Sequence, residues 1–188
     1  MRQRDETKAQ QILAATLDEV REVGLAGLSV EAVARRAKVA TGTVYIYFKN
    51  KDALLAALYL HAKARFSAFV LRDDGLPLRA AFTAMTRAYM SYLIQNEGEI
   101  IFMSQMANSP YLTAETRASA ALETQALNAI LERGKAEHLL KDLDTAWMMT
   151  FLNGVLRDMG ALAKRMTPAD RPAFEDVVAT LCWDALKA

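Results

Sequence analysis

One cysteine, four prolines, eight glycines and two histidines in 188 residues exclude several kinds of protein at once. A single Cys182 cannot build an intramolecular disulfide framework, and it fits a reducing cytoplasm. No Cys/His cluster has metal-site spacing, and His61 and His138 lie far apart on segments where surface positions are expected. A phosphate-binding Gly loop, Gly-x-Ser-x-Gly and His-Glu-x-x-His are all missing, so an enzyme is not expected and no cofactor is implied. The longest uncharged stretches, Ile100–Ala114 and Thr145–Leu156, fall short of the roughly 20 apolar residues of a membrane span. The N-terminus, Met1-Arg-Gln-Arg-Asp-Glu-Thr-Lys8, has no apolar run behind it, so it does not read as a secretory signal. The expectation is a soluble cytoplasmic chain with no membrane partner.

Hydrophobic residues make up 53% and charged residues 24%, which is ordinary globular usage and excludes wholesale disorder. The length suits one large domain or two small ones with a sizeable core. Net charge is +1, but it is unevenly placed. Residues 1–65 hold 11 Lys/Arg against 7 Asp/Glu, a net of +4, and residues 66–188 hold 12 against 15, a net of −3. A basic N-terminal third implies a polyanionic partner for that part, although the asymmetry is modest.

Nearly every segment reads as helix, and the fold class is all-α. Leu13, Leu17 and Val20 mark one face of a first helix ended by Gly24. Ser29 can cap a short second helix whose inner face is Val30, Val33, Ala34 and Ala37. A third spans about Thr41–Phe48, and Asn50 can cap a long fourth helix that Asp73-Asp74-Gly75 breaks. Pro77 suits the first turn of a fifth, ending near Asn96-Glu-Gly98. Then follow Ile100–Met106, stopped by Asn108-Ser-Pro110, and Thr113–Arg133, closed by Gly134. Two helices finish the chain, about Leu143–Arg165 and Ala169–Lys187, the second opened by Thr167-Pro168 or at Pro172.

The most informative stretch is Ser29-Val-Glu-Ala-Val-Ala-Arg-Arg-Ala-Lys-Val-Ala-Thr-Gly-Thr-Val-Tyr-Ile-Tyr-Phe48. It reads helix, tight turn, helix, with Ala34 small enough for a close crossing and Val39 plugging the turn. Such compactness lets the second helix project its outer face into a major groove about 12 Å wide. Thr41, Thr43, Tyr45, Ile46 and Tyr47 would project, with Val44 and Phe48 turned inward. Lys49 and Lys51 flank the helix end, Arg2, Arg4 and Lys8 form an arm, and the helix N-termini at Ser29 and Lys51 suit phosphate. Three short helices making a small core would share some of these features. Two tyrosines alternating beside lysines, with few acids, fit that reading less well.

Residues 12–55 resemble, without a gap, the DNA-binding domain of TetR-family transcriptional regulators. The matching residues are Ile12-Leu13-x-Ala15, Gly24, Ser29-Val30, Val33-Ala34, Ala37-x-Val39, Gly42-Thr43-Val44-Tyr45-x-Tyr47-Phe48-Lys49-Asn50-Lys51 and Leu54-Leu55. The resemblance implies an N-terminal DNA-binding domain at 1–50 and a helical ligand-binding and dimerisation domain at 51–188. It implies a homodimer bound to a double-stranded, palindromic DNA operator and released by a small-molecule effector, most simply a repressor. Carried over by position, Thr43 and Tyr47 contact DNA and Lys51 binds a phosphate. Three positions depart from the family pattern. Lys38 stands where Gly is usual, Ala40 where Ser or Thr caps, and Ile46 at a variable position where an apolar contact to a thymine methyl could replace a polar one.

Beyond that domain, Met and aromatic residues accumulate, and a Met-rich interior tolerates ligands of varied shape. Phe66, Phe102, Met103, Met106, Met148 and Phe151 are expected to line an apolar pocket, with Tyr89 and Asn153 as polar handles. The last two helices carry apolar stripes, Trp147, Phe151, Gly154, Val155 and Leu162 interrupted by Asp158, and Phe174, Val177, Val178, Leu181 and Ala185. In the resembled family such helices pair across a two-fold axis, so Trp147, Gly154, Val155, Asp158, Leu162, Phe174, Val178 and Leu181 are the expected dimer contacts. A DNA-bound protein-interaction module without an inducer is the alternative function.

Overall fold

A computed structural model describes residues 6–71 and 75–188. Of the described residues, 79% are helical and none forms a strand. The helices are α1 (Glu6–Gly27), α2 (Val30–Arg36), α3 (Thr41–Tyr47), α4 (Lys51–Val70) and α5 (Leu78–Gln95). They continue with α6 (Glu97–Ala107), α7 (Ala114–Glu123), α8 (Gln125–Ala136), α9 (Thr145–Ala163) and α10 (Arg171–Leu186). Two compact units divide them, Met1–Lys63 with Gly98–Ala121 and Ala64–Glu97 with Leu122–Ala188. These packing units differ from a division at 50/51, because α6, most of α7 and the start of α4 group with the N-terminal helices. Asp73 and Asp74, expected to break α4, lie outside the described residues.

Unit 1 buries the apolar face of α1 (Ile12, Leu13, Ala15, Val20) together with Val30, Val33 and Ala34 of α2, Val44 of α3 and Leu54 and Leu55 of α4. Burying a Leu, Ile or Val contributes about 1.5–3 kcal/mol, so three short helices hold together by sharing one core. From α6 it also buries Phe102, Met103 and Met106. In unit 2, α5 packs on α8, α9 and α10. Gly160 of α9 permits a close approach, since a Cβ there would stand 2.5 Å from Leu93 Cδ1. Phe82 meets Trp183 edge-on at 5.4 Å, and Phe66 does the same with Tyr89 at 4.9 Å and Tyr92 at 5.3 Å.

Several boundaries differ from expectation for local physical reasons. The expected helix 113–133 is two helices, broken at Thr124 (φ −103, ψ 2), a β-branched residue with low helix propensity. Gly134 does not end α8. The helix runs on to Ala136, and His138 (φ 55) takes the left-handed position. Gly134 instead gives room to Leu140 and Leu78, whose side chains a Cβ would strike. α10 starts at Arg171 with Pro172 in its first turn. Thr167 uses its hydroxyl to donate to Asp170 at 2.7 Å, while Arg171 Nε donates to the Ala163 carbonyl at the end of α9. Finally, α4 has the length and mean hydropathy (1.2) of a membrane-crossing helix, contrary to the reading from uncharged stretches. It nevertheless carries Lys63 and Arg65 and buries Leu54, Leu55, Leu58, Ala62, Phe66 and Val70 within the protein, which is the pattern of a core helix.

Candidate nucleic-acid interface

Ser29 opens the motif. Its extended backbone (φ −118, ψ 142) places Oγ to accept from the Ala32 N–H at 3.1 Å, satisfying one of the unpaired donors of α2. The turn after α2 is a Schellman closure. The Val39 N–H donates to the Ala34 carbonyl at 3.0 Å and the Lys38 N–H to Arg35 at 3.2 Å, with Lys38 left-handed at φ 54. Arg36 clamps α2 to α1 through Glu19 (3.0 Å) and Glu22 (2.7 Å), and these bonds hold its guanidinium further into the charged range. α1 is interrupted at Gly24 (φ 73), the glycine expected to end it.

α3 begins after Ala40, whose methyl supplies no cap; Thr41 does not take over that role, and the Thr43 N–H reaches the Ala40 carbonyl at 2.8 Å. Val44 is 1% exposed and anchors the helix, whereas Tyr45 (48%) and Ile46 (62%) stand out into solvent. Thr41, Thr43 and Tyr47 are half-buried at the edges of that face, and Phe48 is half-buried where it was expected to turn inward. The face is therefore hydroxyl-rich with one prominent aliphatic, and Lys49 beside it is exposed. Such a surface can meet phosphate oxygens with its cations and base edges with Thr, Tyr and Ile. Arg2 and Arg4 of the expected arm lie outside the described residues.

α4 opens with Asn50, whose Oδ1 accepts from the Ala53 N–H at 2.8 Å. Lys51 is half-buried, and its Nζ donates to the Ala26 carbonyl at 2.9 Å and lies 5.4 Å from the Tyr111 ring centre. Neither contact was foreseen. The partners are far apart in sequence, and no local pattern pairs them.

The expected effector residues fall in both units. Phe102, Met103 and Met106 are buried in unit 1, and Phe66 and Met148 in unit 2. Tyr89 donates to Asn153 Oδ1 at 2.9 Å, and burial pushes its phenol up to about 12, partly offset by the charge of Arg157. Phe151 is exposed and instead borders an open apolar cleft of about 280 Å³ with Leu143, Trp147, Met148, Ala185 and Leu186. Of the expected dimer contacts, Trp147 (72%), Leu181 (61%) and Leu162 are exposed, as is Asp158. Gly154, Val155 and Phe174 are half-buried. Val178 is buried inside unit 2, so its neighbour Val177 (57%) carries the outer stripe of α10.

Comparison with known proteins locates the same segment. Residues 12–58 match the model of the bacterial regulatory proteins of the tetR family. An HTH-type transcriptional regulator of Mycobacterium bovis is 33% identical over 97 residues, 52% of this chain and 44% of the relative, so the chain spans about half the length of that relative. The TetC protein of transposon Tn10 from Escherichia coli is 26% identical over 148 residues, 77% of this chain and 74% of TetC. A crystal structure of a TetR-family transcription regulator from Marinobacter aquaeolei superimposes with a TM-score of 0.88 at 23% identity, covering 100% of this chain and 99% of that one. The helix-turn-helix with its capped α2, its turn and its outward hydroxyl face thus coincides with the segment, residues 12–58, that matches the tetR family of bacterial regulatory proteins.

Proposed function

We propose that the chain is a homodimeric regulator, most simply a repressor, that holds a palindromic operator and releases it when a small apolar molecule binds its C-terminal helices. The observation that carries the reading is the outward face of α3, where Thr41, Thr43, Tyr45, Ile46 and Tyr47 surround a single buried anchor, Val44. Two glycines support it. Gly42 on α3 and Gly154 on α9 sit in helices, where glycine costs about 1 kcal/mol against alanine, yet a Cβ at either would meet nothing within 4 Å. Nothing among the described residues explains the missing side chains. Close approach of a DNA backbone at Gly42 and of a second copy at Gly154 would.

In such a dimer the two α3 helices enter successive major grooves about 34–36 Å apart. An effector that prefers a dimer geometry with a different spacing lowers operator affinity by that preference. Binding to the DNA flanking its own gene, followed across a salt series, tests the reading. Tight, salt-dependent, two-fold-symmetric protection is expected, together with loss of protection when an apolar effector saturates the protein. Absence of any salt-dependent DNA binding would end it. The exposed stripe of Trp147, Val177 and Leu181 also favours a second reading, a DNA-bound module that recruits another protein through that face and has no inducer. A partner-dependent complex on DNA, insensitive to every small molecule, would select it.

A further inference from the structure

We infer that Tyr111, in the loop between α6 and α7, is a positioning residue for DNA binding that acts by confining the Lys51 ammonium; this rests on the DNA-binding reading above. Lys51 stands at the first position of α4. Fixing a free lysine side chain on a phosphate costs rotamer entropy. Here the cost is largely met before DNA arrives. One N–H of Lys51 is held by the Ala26 carbonyl, near the carbonyl-rich end of α1, and the ammonium lies over the Tyr111 ring within cation–π range. An ammonium has three donors, so at least one remains for an incoming oxygen. Asn50 takes the N–H groups of Ala53 and Leu54 at the start of α4, and the N–H groups that open a helix favour an anion.

Tyr111 is itself fixed from both sides. α6 ends at Ala107, and Ser109 turns the chain by donating from Oγ to the Met106 carbonyl at 2.9 Å. Leu112, next to Tyr111, is 8% exposed and anchors the loop. Thr113 then caps α7 by accepting from the Thr116 N–H at 3.1 Å. A displacement of this loop therefore moves the ring and frees the cation, which gives the α6–α7 segment a direct hold on a phosphate contact.

The test uses a short mixed-sequence duplex, because phosphate contacts do not depend on base sequence. Affinity and its salt slope are measured for wild type, Tyr111→Phe, Tyr111→Leu, Lys51→Met and the Lys51→Met/Tyr111→Leu double variant. Tyr111→Leu should weaken binding about two- to fivefold per DNA-binding unit, and Tyr111→Phe, which keeps the ring, should retain affinity. In the Lys51→Met background, Tyr111→Leu should change nothing further. An equal loss in both backgrounds, or no loss in either, overturns the proposal while leaving the DNA-binding reading intact. A wild type with no salt-dependent binding overturns both. Should Tyr111→Leu fold poorly, NMR of the unliganded wild type decides: ring-current-shifted Lys51 ε-methylene resonances support the contact, and unshifted ones refute it.

Discussion

Glycine usage inverts expectation at single residues. Two helices, α2 and α8, end in the same closure, with a left-handed residue followed by a hydrogen bond back to the third-last helical carbonyl. The left-handed residues are Lys38 and His138, not glycines. A side chain in that conformation costs about 1–2 kcal/mol, part of which glycine would lose again through its freer unfolded chain. Lys38→Gly should therefore raise stability by about 0.5–1 kcal/mol, read as a higher denaturation midpoint; an unchanged or lower midpoint would show that the turn carries no strain. Tyr89 gives a pH signature. Its phenol is raised from 10.0 to about 12 by burial, so folding favours the protonated form. That contribution is intact below pH 10 and is lost as pH rises through about 12. Tyr89→Phe loses the bond to Asn153 and should be less stable at pH 8, yet decline less steeply than wild type between pH 10 and 12. Parallel decline of the two proteins in denaturant titrations would refute the assignment.

For whole elements, helix starts were easier to read than helix ends. Ser29 and Asn50 cap α2 and α4 as their sequence signals indicate, because a cap is a bond between near neighbours. Gly134 misled because a glycine that allows close packing looks the same in sequence as one that ends a helix. Its neighbour Leu140 comes from beyond the next turn, and Leu78 from another helix. The same distinction separates two glycines of α9. Gly160→Ala would press on Leu93 and should cost about 1–3 kcal/mol. Gly154→Ala has open space in the single chain and should leave monomer stability unchanged or slightly raised. Thermal melts of the two variants at low concentration, where a dimer would dissociate, check the contrast; equal destabilisation would contradict it.

At the scale of the molecule, the proposed functions occupy different helices. The hydroxyl face of α3 lies in unit 1, and the apolar stripes of α9 and α10 lie in unit 2, which leaves Trp147, Val177 and Leu181 more than half exposed. An apolar face of that kind is costly in water and calls for a cover. Trp147→Asp with Leu181→Asp should raise a dimer dissociation constant by about thirtyfold or more, seen by sedimentation velocity, with an unchanged circular dichroism spectrum. A wild type that sediments as a monomer at every concentration would remove the dimer from the proposal.

The all-helical class and the helix-turn-helix could be read directly from the chain, down to the Ser29 cap and the buried Val44, whereas Thr41, Thr43, Tyr47 and Phe48 all proved half-buried. These features depend on 3.6-residue periodicity and on bonds between residues three to five apart, so the information sits in one short window. The Lys51–Ala26 bond, the Tyr111 stack, the split of the expected pocket residues between two units and the inward turn of Val178 could not be read that way. Each depends on which distant helix lies opposite. Packing settles that through side-chain volume and the exclusion of water, and neither leaves a periodic mark in a single sequence.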